Sequence, residues 1–302
     1  MPTPSPNGNH KQSTLLRLGL PIGSLQETTI SLLQQAGYRI HLRARSYTPD
    51  IDDSDVEVVM FRAQEISRYI DDGVLDVGIT GHDWVVENNS NVHEVCQLQY
   101  SKATDQPARW VLAVPEESSV EKAKDLADGI IATELVNTTT KFFLDQNIPI
   151  RKVEFSWGAT EVKARLVDAI VDITETGSSL RANNLRVIDT ILTSTTRLIA
   201  NHNAWADQNK RQKIEALALL LNGAINAREK IGLKLNTPRA KLDQIVGLLP
   251  AEKSPTISEL ADSQWVALEV IVDEQVGREL IPQLRRAGAT GIISYNLKLI
   301  IP

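Results

Sequence analysis

The 302-residue sequence predicts an α/β fold of two doubly wound lobes around a cleft, followed by a smaller unit in the order βαββαβ. Three observations carry this expectation. Short apolar strands alternate with amphipathic helices from residue 15 onward. The same alternation restarts at Trp110, and residues 228–302 show a compact pattern of their own.

The first lobe opens with a strand over residues 15–20, where apolar and polar residues alternate. Residues 21–23 read as a turn into a helix whose Ser24 and Glu27 have capping-box spacing. Leu25, Leu32, Leu33 and Ala36 give that helix an apolar stripe, and Gly37 is placed to stop it. Residues 56–61 form a second strand, 63–72 an amphipathic helix ending at Gly73, and 75–81 a third strand entering a glycine turn. Strands this apolar argue for parallel pairing.

In the second lobe residues 110–114 read as a strand. Ser118 and Glu121 suggest another capping box, with a helix to about Ala127. A strand over 130–134 and a helix over 141–146, led in by Thr138 to Thr140, continue the pattern. Two such lobes in series place a cleft between them, a common location for small-molecule sites. A long helix over 207–231 follows. In the final unit the strands are 233–236, 255–258, 265–272 and 291–301, the last a single strand or a pair. Thr237-Pro238 reads as an N-cap with proline at the first helical position, opening a helix to Leu249, and 274–286 is the second helix. This order is the ferredoxin-like arrangement.

Composition narrows the function classes. Apolar content of 42% and charged content of 23% are ordinary for a globular protein. A net charge of −6 argues against nucleic acid as the main partner. The single cysteine, Cys96, excludes an internal disulfide and a cysteine-rich zinc site, and its apolar neighbours read as those of a buried thiol. No apolar run approaches the roughly 20 residues a membrane helix needs. Residues 1–13 read as a disordered polar tail without a secretory signal, so a cytoplasmic location is expected.

The most informative stretch is Asp168-Ala169-Ile170-Val171-Asp172-Ile173-Thr174-Glu175-Thr176-Gly177-Ser178-Ser179-Leu180. Its apolar core reads as a buried strand, and Asp172 falls where that strand ends, the edge at which open α/β sheets bind ligands. A carboxylate there accepts hydrogen bonds from two sugar hydroxyls, while Thr176 to Ser179 offer amides and hydroxyls to a phosphate. The chemistry suits a ribose-5-phosphate group. The bare motif also fits a strand, polar turn and helix with no ligand. Glu175 would have to point away from a phosphate or toward a metal.

With Leu18-Gly19-Leu20-Pro21, Asp76-Val77-Gly78-Ile79-Thr80-Gly81-His82-Asp83, Leu249-Pro250, Ser254-Pro255-Thr256-Ile257-Ser258 and Arg286-Ala287-Gly288-Ala289-Thr290-Gly291-Ile292, the chain resembles the long-form ATP phosphoribosyltransferases. The resemblance runs from about Leu15 to the C-terminus. It implies transfer of the ribosyl group of phosphoribosyl pyrophosphate (PRPP) to N1 of ATP, the first step of histidine biosynthesis. It also implies Mg²⁺, feedback inhibition by histidine and a homo-oligomer between dimer and hexamer. The two lobes would be periplasmic-binding-protein-like, with residues 14–103 and 193–225 in lobe I and 104–192 in lobe II. Residues 228–302 would be the regulatory domain.

By position, the resemblance gives Asp172 the ribose hydroxyls and wraps Glu175, Thr176, Gly177, Ser178, Ser179 and Leu180 around the 5′-phosphate. It puts Asp76, Gly78, Thr80 and Gly81 on the nucleotide side, with Arg62 placed either for a phosphate or as a solvated helix start. Thr256 and Gly291 match positions near the histidine site, and no metal ligand is assigned. Asp168 either supports the ribose site or caps a strand, and His82 is expected to be structural because the chemistry needs no base. One departure stands out: Ile22 occupies a position that is usually basic in the family. Two other readings remain open at this point, a weakened paralogue and a solute-binding module of similar two-lobe fold.

Overall fold

The computed structural model describes residues 15–43, 46–100, 107–158, 160–250 and 255–302. The expected tail at 1–13 and Ser254 of the C-terminal motif lie outside them. The chain divides into two compact units, one ending at Ala218 and one beginning at Leu219.

The first unit begins with β1 (Leu16–Ile22), α1 (Gln26–Gln35), the short strands β2 (Ile40–His41) and β3 (Asp50–Ile51), and β4 (Val56–Arg62). There follow α2 (Ala63–Asp71), β5 (Val77–Gly81), α3 (His82–Glu87) and β6 (His93–Leu98). The chain then builds a second sheet from β7 (Ala108–Pro115), β8 (Ile130–Thr133), α4 (Val136–Asp145), β9 (Lys152–Phe155), β10 (Ala169–Thr174), α5 (Ser178–Ala182) and β11 (Leu185–Ser194). It returns through β12 (Thr196–Ala200), α6 (His202–Ala206) and α7 (Gln208–Ala227).

Each lobe is a five-stranded sheet, ordered β4-β1-β5-β12-β6 in the first and β11-β7-β10-β8-β9 in the second. Both are mixed rather than wholly parallel. Only Thr195 separates β11 from β12, so the chain passes from one sheet into the other and meets β5 antiparallel, with Thr196 opposite Gly81. In the second lobe β10 lies parallel to β8 but antiparallel to β7. Apolar side chains fill the space beneath the sheets: Ile66, Ile70, Leu75 and Ile199 in the first lobe, Trp110, Leu112, Leu135 and Phe143 in the second. Cys96 on β6 is half-buried rather than enclosed.

Neither expected capping box forms as read. The first turn of α1 is closed by Gln26 N–H donating to the Gly23 carbonyl at 3.1 Å, and no side chain caps it. The second region is only a 3₁₀ turn over Ala123–Leu126, entered through Asp125, whose carboxylate accepts from the N–H groups of Glu121 and Lys122 at 3.1 Å each. The long helix expected over 207–231 is α7, which stops at Ala227, and a short separate helix, α6, precedes it, capped by Asn201, which accepts from Asn203 N–H at 2.8 Å.

The second unit contains β13 (Lys230–Pro238), α8 (Leu242–Val246), β14 (Thr256–Glu259), β15 (Trp265–Asp273), α9 (Glu274–Ala287) and β16 (Thr290–Asn296). Its sheet runs β14-β15-β13-β16, which is the βαββαβ order. Thr237-Pro238 does not open a helix. Both residues complete β13, where Thr237 pairs with Val266, and a 3₁₀ turn over Arg239–Lys241 precedes α8. Alternation along β15 buries Val266, Leu268, Val270 and Val272, the last three in one core with Leu280 and Leu284 of α9. The C-terminal strand is single and ends at Asn296.

Candidate active site

A cavity of about 540 Å³ lies within the first unit, between its two sheets. Ile22, Ser24, Arg62, Gly81, Asp83 and Trp84 line it on one side. Trp110, Glu134, Trp157, Gly158, Thr174 and Glu175 line it on the other. That volume suits a nucleotide-sized ligand.

Asp172 sits one residue past the last β10–β8 pair, Val171 with Thr133, so the end of β8 brings Glu134 alongside it. Glu161, on the 3₁₀ turn Thr160–Arg165, faces it too. Burial, then the negative charge of Glu161, push the Asp172 carboxyl up to about 7, with Glu134 adding to the effect. The Ile173 N–H opposes this shift, donating to Asp172 at 2.8 Å. Glu161 also accepts a hydrogen bond from the Ser179 hydroxyl.

The turn that follows is held open by Gly177 at φ 72°, a left-handed conformation that a side chain would strain. Gly177 N–H donates to Thr174 Oγ1 at 2.7 Å, Thr176 Oγ1 donates to Ser178 Oγ at 3.0 Å, and Arg181 Nη1 donates to the Thr176 carbonyl at 3.0 Å. Thr176, Ser178 and Ser179 are exposed, so hydroxyls and a guanidinium edge one short turn. Leu180 differs: its side chain is 2% exposed and packs under the second sheet, so it anchors the turn rather than touching a ligand. Asp168 accepts from Ile130 N–H at 2.8 Å and acts as a strand cap.

Of residues 172–180, Ile173, Thr174 and Glu175 line the cavity, and Asp172 and residues 176–180 do not; on the opposite wall Arg62 and Gly81 reach it, whereas Asp76, Gly78 and Thr80 do not. Asp76 accepts from Arg17 N–H and pairs with Lys210 Nζ at 2.8 Å. A Cβ on Gly78 would stand 2.8 Å from Ile66 Cγ2, so glycine there lets α2 lie close on the sheet. The Thr80 hydroxyl is buried and donates to the Ala63 carbonyl at 2.7 Å. These three hold the first lobe together. His82 Nδ1 lies 3.0 Å from Glu94 and is taken up on the surface. Thr256 on β14 and Gly291 on β16 stand at opposite edges of their sheet, with β15 and β13 between them. The unit therefore does not bring these two residues together.

Several residues that matter here carry no sequence signal of their own. Asp83 is 3% exposed and accepts from Trp110 Nε1 at 2.7 Å and Trp84 N–H at 3.1 Å. Burial pushes its carboxyl upward. Glu87, at the end of α3, accepts at the start of α4 from Asn137 N–H, Thr138 N–H and Thr138 Oγ1 at 2.8–2.9 Å. Two acids of the first lobe thus bind the second.

Comparison with known proteins settles the family. The family model described as ATP phosphoribosyltransferase matches residues 62–223, and the one described as its C-terminal domain matches 227–298. The ATP phosphoribosyltransferase of Chlorobium chlorochromatii is 54% identical over 96% of this chain and 99% of its own length. That of Pelotomaculum thermopropionicum is 55% identical over 95% and 99%. The chain belongs to the ATP phosphoribosyltransferase family. Among solved structures, a chain of the ATP phosphoribosyl transferase (HisG:HisZ) complex from Thermotoga maritima matches with a TM-score of 0.60 at 27% identity, covering 70% of this chain and 98% of that one.

Among the described residues no group of three or more His, Cys, Asp or Glu side chains is arranged to hold a metal ion. No helix among them is long and apolar enough to cross a membrane. Glu161 and Glu134 create negative potential around Asp172, which a cation arriving with a polyphosphate would relieve.

Proposed function

We propose that this chain, as an ATP phosphoribosyltransferase, joins PRPP to N1 of ATP in the cavity of its first unit, opening histidine biosynthesis. N1 of adenine attacks C1 of the ribose, the C1–oxygen bond breaks, and pyrophosphate leaves with the bonding electrons. The leaving group is already good, so the protein contributes orientation and charge stabilisation rather than a nucleophile. The observation that carries this reading is Asp172, half-buried on β10 just past its last pair with β8, with a glycine turn edged with hydroxyls following the end of that strand at Thr174. Asp172 accepts from the ribose hydroxyls, Thr176 to Ser179 hold the 5′-phosphate, and Arg181 turns from the Thr176 carbonyl to that phosphate. Arg62 serves the polyphosphates on the other wall.

Mg²⁺ fits as part of the substrate. Asp172 and Glu161 are acids whose mutual repulsion a cation relieves, and Mg²⁺ is commonly held by one or two carboxylates plus substrate phosphates. When bound it neutralises the pyrophosphate. The same reading makes the C-terminal unit the seat of histidine inhibition and the protein a cytoplasmic homo-oligomer, dimer to hexamer.

Purified protein with ATP, PRPP and Mg²⁺ tests the reading. Formation of phosphoribosyl-ATP, read by its absorbance, is expected, with a fall in rate when histidine is added. Absence of turnover in protein that still binds PRPP overturns the transfer reading. Insensitivity to histidine overturns only the regulatory part, and sedimentation reads the assembly.

A further inference from the structure

We propose that Trp157 is the stacking platform for the adenine ring of ATP, and that the base takes the place on the indole held in this structure by Arg62. This rests on the phosphoribosyl transfer proposed above and assigns one wall of the cavity to the base. The Arg62 guanidinium carbon lies 5.2 Å from the centre of the Trp157 ring, a cation–π contact between the two cavity walls. The indole is 55% exposed, and Phe155, equally exposed, lies beside it with ring centres 5.9 Å apart.

Exposed aromatic surface of this size in a substrate cavity marks a binding face. Of the two substrates only ATP carries an aromatic ring. The other indoles of the cavity are engaged already: Trp110 is 2% exposed with its N–H on Asp83, and Trp84 packs edge-on against it at 6.1 Å. Trp157 is also held in place through the backbone of its two neighbours. The preceding Ser156 N–H donates to the Thr133 carbonyl at 2.8 Å, and the following Gly158 N–H donates to Glu134 at 2.9 Å. The platform is therefore fixed to the end of β8, the strand that also brings Glu134 beside Asp172.

The exchange has a direction. A guanidinium on an exposed indole is weakly held, whereas a stacked base commonly contributes more, so adenine displaces Arg62. The released cation is then available to the phosphates that arrive with the same nucleotide. Binding of the base and charge stabilisation of its polyphosphate become one event.

The test is Trp157→Ala, with Trp157→Phe and Arg62→Gln as companions. Losing a base–aromatic stack corresponds to roughly 5- to 100-fold in affinity. We expect Trp157→Ala to raise the KM for ATP about tenfold, with the KM for PRPP and the melting temperature little changed, and Trp157→Phe to restore most of the loss. ATP should quench indole emission in the wild type and quench it much less in Trp157→Phe. An unchanged KM for ATP, or equal rises for both substrates, overturns the proposal. If Trp157 acted only by positioning Arg62, Trp157→Ala would add nothing in the Arg62→Gln background, and that result overturns it as well. A wild type that makes no product but shows Trp157-dependent quenching by ATP would sink the transfer reading and leave the stacking site standing.

Discussion

Asp83 and Asp172 are two carboxylates of the same unit whose pKa burial pushes upward, yet their surroundings are opposite. Asp83 is met by fixed donors, the indole of Trp110 and the N–H of Trp84, and sits where the two lobes touch. Asp172 is met by like charge from Glu161 and Glu134 and by one N–H, its neighbour's. A buried acid whose donors come from the fold is architecture. A buried acid whose neighbours repel it is held at a cost to the fold, and a ligand bringing hydroxyls or a cation supplies what is missing.

The largest test of that difference is Asp172→Asn. Losing charged hydrogen bonds to the sugar of about 1.5–3 kcal/mol each should lower kcat/KM for PRPP roughly 100-fold. The KM for ATP should change far less. Equal losses for both substrates in steady-state assays would mean that Asp172 is not the ribose acid. Next in size, Asp83→Ala leaves the buried Trp110 N–H without its acceptor, which costs about 1–3 kcal/mol of stability. Thermal unfolding should show a drop of several degrees, and an unchanged melting temperature would remove Asp83 from the architecture.

Asp172 also makes a prediction for stability against pH. The folded-state pKa of Asp172, about 7, stands above its ordinary value of 3.8, so the folded protein holds this proton more tightly than the unfolded chain. Stability from that proton is complete below about pH 4 and is lost as pH rises through 7. Asp172→Asn removes the loss. Its melting temperature should match the wild type near pH 4 and exceed it increasingly toward pH 8, even though activity has fallen. A variant less stable than the wild type at pH 8 would show that Asp172 is a structural acid like Asp83.

Legibility in the sequence followed the same division. The glycine turn after Asp172 could be read because strand, acid, glycine and hydroxyls are contiguous, and contiguous chemistry is visible without a fold. Asp83, Glu87, Glu161 and Trp157 were missed because each acquires its role from a partner distant in sequence. Glu87 meets Thr138 across 51 positions, for example, and Asp83 meets Trp110 across 27. Asp76, Gly78 and Thr80 mislead for the converse reason. Their motif abuts the cavity through Gly81, but earlier in it Asp76 is taken up by Lys210, Gly78 makes room for α2, and the Thr80 hydroxyl is bound to the Ala63 carbonyl. The capping box at Ser118 failed because Asp125 takes the Glu121 N–H that Ser118 was expected to bind, and the first turn of α1 is closed by the Gln26 N–H on a backbone carbonyl with no side-chain cap. The mixed pairing of the sheets was hidden too, since an apolar strand reads alike in either direction.

The smallest effect concerns Ile22, where a basic residue is usual in the family. Ile22 ends β1, lines the cavity and stands directly beside Arg62 in the parallel register of β1 and β4. A lysine there would approach any phosphate that Arg62 serves, gaining about 1.5–3 kcal/mol from a charged hydrogen bond. It would also stand next to a guanidinium, and that repulsion offsets part of the gain. The net result for Ile22→Lys should be a rise in kcat/KM of only a few fold, fading as salt screens the wall. Steady-state rates at low and high ionic strength measure it. A rise that persists in high salt would point to packing instead of charge. A loss of activity at low salt that salt relieves would show that Arg62 already supplies all the positive charge this wall can hold.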